Sequence, residues 1–244
     1  MDSLGEDLVL LSIRPDKGTV TTGERIGFGL MGSELVRLAA AGRIDIQRGR
    51  ILVLNPVPTG DAELDAALES LLRARRPPRP TTWVGSPRRG ILVAYLNRLA
   101  AAGAIRAERR RIFGTRYFIA DPGRVAAARA RLDGIALSAG MVDVAEAAFG
   151  GLAHAIALDR VLYKGLAGRP VRKRLMEMGK GQWTVAAVSR AAQATSSAMQ
   201  AADAASSAAT HAASHAATQA ATHAATHAAA HQAGSHHGGA VGHH

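Results

Sequence analysis

The 244 residues include no cysteine, which excludes disulfides, thiolate nucleophiles and cysteine-ligated metal sites. Aromatic side chains make up only 4% of the chain, so a core of any size must be built from alanine, leucine, valine and isoleucine, a composition that favours helices. No apolar run approaches the ~20 residues that cross a bilayer. The opening MDSLGEDLVLLSI has acids where a signal peptide carries basic residues, so it reads as part of the fold. Before residue 191 there is one histidine, His154, set among alanine and leucine on an expected helix. A lone helical histidine is a poor basis for acid–base chemistry. The expectation is a non-catalytic protein with no catalytic residues and no cofactor.

What is present in excess is arginine. The net charge is +11, and all 30 Lys and Arg and all but one of the 19 acids precede residue 191, so the body alone carries +12. Guanidinium groups suit planar, bidentate contact with phosphate. A basic body therefore points to anionic lipid headgroups, nucleic acid or an acidic protein partner. Compositional bias towards arginine and alanine accounts for the same numbers without a ligand.

Periodicity and turn residues give a mainly α reading, with a helical core, peripheral helices and two β-hairpins. A short apolar element spans 4–13, where Ser3 and Glu6 have the spacing of a capping box. Helices are expected over 30–41, over Asp61 to Arg73 with Asp61 as cap, and over 88–102. Further helices are expected over 122–132, 141–163, 169–179 and 182–195. Hairpins are expected over 43–54, turning at Arg48-Gly49, and over 104–119. Between them RARRPPRP, residues 73–80, reads as an exposed basic loop. Trp83 follows it and reads either as core or as a ring that dips into a membrane interface. GFGLMG (Gly27, Gly29, Gly32) nearly matches a phosphate-binding glycine motif. It lacks the flanking βαβ unit, so close backbone packing is the better account. Asp61, Glu63 and Asp65 lie at a helix start, where acids complement the dipole.

From about residue 196 the composition collapses to Ala, His, Thr and Ser. Residues 1–195 are thus expected to form one domain, and 196–244 a low-complexity tail. His211, His215, His223 and His227 recur at helical spacing and could chelate Zn²⁺, Ni²⁺ or Cu²⁺ incidentally, but no dedicated metal site is expected.

Three stretches together resemble the Golgi phosphoprotein 3 family: LGEDLVLLSIRPDKG, LMGSELVRLAAAGRIDI and, most specifically, PVPTGDAELDAAL (Pro56 to Leu68). The resemblance covers roughly residues 4–195. It implies a helical bundle fold, self-association through a hairpin, and a peripheral adaptor that binds phosphatidylinositol 4-phosphate. The family's headgroup positions fall on Thr22, Met31, Arg89 and Leu92, so Arg89 alone keeps its charge, with Arg88, Arg25 and Arg14 as basic neighbours able to substitute. These departures fit a bacterial-type relative, cytoplasmic or at the inner membrane surface. The alternative is a nucleic-acid binder. Helix followed by hairpin occurs twice, as in winged helices, and Arg106, Arg109, Arg110, Arg111 and Arg116 would line the second wing. A dimerising structural protein without a ligand is the third reading.

Overall fold

In this computed structural model the described residues are 3–110, 114–138, 140, 142–193, 197 and 200. The chain divides into two compact units, residues 1–194 and 195–244, and the architecture below is that of the first. The fold is mainly α, as the periodicity implied.

Two helices sit at its centre. Helix α1 (Leu4–Ser12) is buried along its whole length, and α2 (Arg25–Ala40) is buried without a break from Ile26 to Leu38. A helix enclosed on every side should be apolar all round. These two are not: Glu6, Asp7, Glu34 and Arg37 lie on them, each less than a tenth exposed. Helices α3 (Ala62–Leu72), α5 (Ile91–Ala101) and α7 (Val144–Ala155) pack against α2, while α5 and α6 (Pro122–Leu137) pack against α1. Helix α9 (Arg169–Met178) covers α6 and α7. Two one-turn helices, α4 (Pro80–Val84) and α8 (Leu158–Leu162), and a helical stretch over 183–193, here α10, complete the set.

Among the described residues three antiparallel hairpins decorate the bundle. Strands β1 (Ile13–Arg14) and β2 (Thr19–Val20) form a small one that the sequence reading missed. Strands β3 (Ile44–Gln47) and β4 (Arg50–Val53) pair with Ile46 opposite Ile51 and turn at Arg48-Gly49 as expected. Strands β5 (Ile105–Arg110) and β6 (Gly114–Ile119) form the longest. The turn between β1 and β2 leans on it: the Tyr117 N–H donates to the Gly18 carbonyl at 2.9 Å.

Several expected boundaries move. Helix α2 starts at Arg25, five residues early, because its glycines lower helix propensity yet are repaid by packing. A Cβ on Gly27 would lie 3.3 Å from Pro87, on Gly29 3.0 Å from Ile156, and on Gly32 2.5 Å from Val188. The three glycines thus admit a loop, the end of α7 and α10. Helix α5 starts at Ile91, since Gly90 just before it adopts a left-handed φ of 80°. The expected helix 141–163 is two, broken at Ala157, whose φ is 61°, so that Leu158 can turn fully into the core. Ser3 does not form the capping box. Its hydroxyl donates to Asp7 at 3.0 Å, and Glu6 is engaged elsewhere.

Candidate functional site

Each buried charge on the two central helices meets an oppositely charged side chain from a surrounding element. Glu34, fully buried, receives both terminal nitrogens of Arg88, at 2.5 and 2.7 Å, and Arg88 also reaches Glu63 at 3.3 Å. Burial pushes the Glu34 carboxyl up to about 7, against the pull of the Arg88 hydrogen bonds and charge. Arg37 donates to Asp61 at 2.7 Å, and Arg98 approaches the same oxygen at 2.8 Å. Burial works to raise Asp61 too, but hydrogen bonds from Arg37 and Arg98 outweigh it and hold the carboxyl at about 2. Arg98 continues to Glu6 at 2.7 Å, Glu6 takes Arg124 as well, and Arg131 joins Asp7 to Glu146 at 2.7 and 2.6 Å. A buried ion left alone costs several kcal/mol, which is why none of these is left so.

The PVPTGDAELDAAL stretch is explained by the same economy. Asp61 caps α3 by accepting from the Glu63 and Leu64 N–H groups, while Asp65 accepts from the Thr59 N–H and hydroxyl and from the Gly60 N–H, at 2.6, 2.8 and 3.2 Å. The acids fold a loop and anchor two arginines.

The four arginines expected at a headgroup site therefore differ in availability. Arg88 does not face solvent as a ligand-binding group; its guanidinium is committed to Glu34 and Glu63. Arg14 pairs with Asp16 at 3.3 Å on the surface. Arg25 is half-buried and engaged as the first residue of α2. Arg89 is exposed and makes no ion pair among the described residues. The loop that carries Arg88 and Arg89 lies against the first turns of α2, with Pro87 over Gly27 and Arg88 beside Met31. Of the other positions expected at a headgroup site, Met31 is buried at 1% exposure, Leu92 is half-buried against the core, and Thr22 is half-buried with its hydroxyl unpartnered among the described residues. Trp83 belongs to the core, so its ring does not reach a membrane.

On the second hairpin Arg106 pairs with Glu108 at 2.9 Å, Arg116 donates to the Lys17 carbonyl at 3.0 Å, and Arg109 is exposed. The side chain of Arg110, and Arg111 altogether, lie outside the described residues, as do His211, His215, His223 and His227. His154 places Nδ1 2.7 Å from the buried Asp159, whose other oxygen accepts from the Arg160 N–H. That pair ties the end of α7 to the start of α8.

What sequence reasoning missed is the internal use of arginine. Acids at buried helix positions were the available signal: Glu34 and Asp7 fall on faces otherwise filled by Leu, Val and Met. No helix among the described residues is long and apolar enough to cross a membrane. A family model described as Golgi phosphoprotein 3 (GPP34) matches residues 4–195. No curated protein matches the chain.

Proposed function

The chain belongs to the Golgi phosphoprotein 3 family, and on that premise we propose that it is a non-catalytic peripheral adaptor that meets anionic lipid headgroups through the tip where the loop 85–90 crosses the start of α2. The observation that carries this reading is Arg89, which is exposed and without a carboxylate partner among the described residues at the one headgroup position that keeps its charge. Val93, 51% exposed one turn along α5, adds an apolar contact that can settle among lipid headgroups. With Arg88 held inward and Arg25 half-buried and engaged, Arg89 carries the attraction. Each basic residue near an anionic surface contributes about 1 kcal/mol, so Arg89→Ala lowers vesicle affinity roughly fivefold.

The test is co-sedimentation of the full chain at pH 8 with neutral vesicles, generic anionic vesicles, and charge-matched vesicles containing phosphatidylinositol 4-phosphate, with duplex DNA as competitor. The reading expects binding to anionic vesicles that weakens in Arg89→Ala. Preference for the phosphoinositide at equal charge adds headgroup specificity. Failure to bind either anionic vesicle, or DNA displacing both completely, rejects it.

A further inference from the structure

A basic concavity on the body is lined by none of the residues of the Arg89 tip. It is an open groove of about 440 Å³ between the β3–β4 turn, the start of α4 and α10. Three arginines line it, one from each element: Arg48, Arg79 and Arg190. None of the lining residues is acidic. All three arginines are exposed, and none makes an ion pair or side-chain hydrogen bond among the described residues.

This departs from how arginines are used around the two central helices. Arg37, Arg88, Arg98, Arg124 and Arg131 each bridge elements, and each does so on a carboxylate. Three arginines and no acid line the groove, an arrangement that an incoming anion relieves. Arg48 also sits in the left-handed region, at a φ of 52°, in a tight turn where Asn, Asp or Gly are the favoured residues. An arginine there forgoes local preference for a guanidinium at the groove's edge.

The remaining lining narrows the ligand. Thr81 offers a hydroxyl beside Arg79, and the half-buried Trp183 with Ile46 and Ala187 supplies an apolar wall. Guanidinium groups bind phosphate in fork geometry, and three of them match a phosphomonoester better than a singly charged carboxylate. The groove is far larger than one phosphate, and its wall is suited to the face of a ring. We propose that this groove is a binding site for a phosphomonoester carried on a ring-shaped polar body, with Arg48, Arg79 and Arg190 holding the phosphate and Trp183 packing the ring. The site is independent of the membrane reading, because a soluble phosphate ester can fill it.

The full chain at pH 8, where the tail histidines are neutral, is titrated with inorganic phosphate and with glucose 6-phosphate by calorimetry and tryptophan fluorescence. A parallel arm uses vesicles containing phosphatidylinositol 4-phosphate. Saturable binding of glucose 6-phosphate is expected, tighter than that of inorganic phosphate. Arg79→Ala and Arg190→Ala each weaken it about tenfold, the loss of one charge-assisted contact. Arg169→Ala, which removes the same charge from an exposed position on α9, leaves it unchanged. Trp183→Phe keeps binding and loses the fluorescence change, since Trp83 is in the core. Binding seen only on vesicles, yet sensitive to Arg79 and Arg190, assigns the groove to a lipid-borne phosphate. The proposal is overturned if no phosphomonoester binds in either arm, or if Arg79→Ala and Arg190→Ala weaken binding no more than Arg169→Ala does.

Discussion

Arg88 shows how little a residue's type says about its work. It stands next to Arg89, yet one neighbour neutralises a buried carboxylate and the other faces water. Removing Arg88 leaves burial and the Glu63 charge opposed only by the charge of Arg37, so the Glu34 carboxyl's folded pKa rises further above its ordinary value. A group raised in the folded state contributes stability at low pH and loses it as pH climbs from the unfolded value through the folded one. Arg88→Met is therefore expected to cost more at pH 8 than at pH 5, by up to about 1.4 kcal/mol, because the parent carboxyl, at about 7, is ionised at pH 8 whereas the variant's must be kept protonated there. Urea unfolding at the two pH values measures this, and adding Glu34→Gln should flatten the difference. Equal losses at both pH values would contradict the account. Asp61 works in the opposite direction: held at about 2, its contribution is present above the ordinary aspartate range and fades as pH falls towards 2.

Among the elements, α2 is the one on which the others converge, and its glycines set how closely they approach. Gly32 faces α10 and α7: a Cβ there would stand 2.5 Å from Val188 Cγ2 and 2.9 Å from Leu152 Cδ2. Valine is stiff at χ1 and cannot swing clear. Gly32→Ala is thus expected to destabilise by about 1–3 kcal/mol despite alanine's higher helix propensity. Val188→Ala in the same chain should recover part of the loss, and thermal melts of the single and double variants check both. The longer helices were legible from apolar spacing, and the two longer hairpins from alternation, one around Arg48-Gly49 and the other along its returning strand. The small β1–β2 hairpin was not, since two-residue strands carry no periodicity. The break at Ala157 escaped for another reason. Nothing in AIALDR marks a stop, and the left-handed residue persists because Leu158 and Asp159 are fully buried behind it.

For the whole molecule, charge has three destinations: inside the bundle, at the Arg89 tip and groove, and in the tail. The nine histidines that follow Arg190 are mainly neutral at pH 8 and gain charge as pH falls to 6. Binding of the full chain to generic anionic vesicles should strengthen over that range and remain salt-sensitive. A full-length variant with those histidines replaced by glutamine should show no such rise, and co-sedimentation at pH 6 and pH 8 decides it.

The sequence by itself determined the mainly helical class, most of the longer elements and the family. These depend on short-range pattern: residues three and four apart, turn pairs, and one motif from Pro56 to Leu68. Which arginine meets which acid was decided only by tertiary structure. Arg88 and Glu34 are 54 residues apart and Arg131 and Asp7 are 124 apart. No local spacing encodes such pairings, because a guanidinium is drawn to whichever carboxylate the packed helices bring within reach and out of water. The groove has the same origin. Arg48, Arg79 and Arg190 share a surface only after a turn, a short helix and α10 have docked.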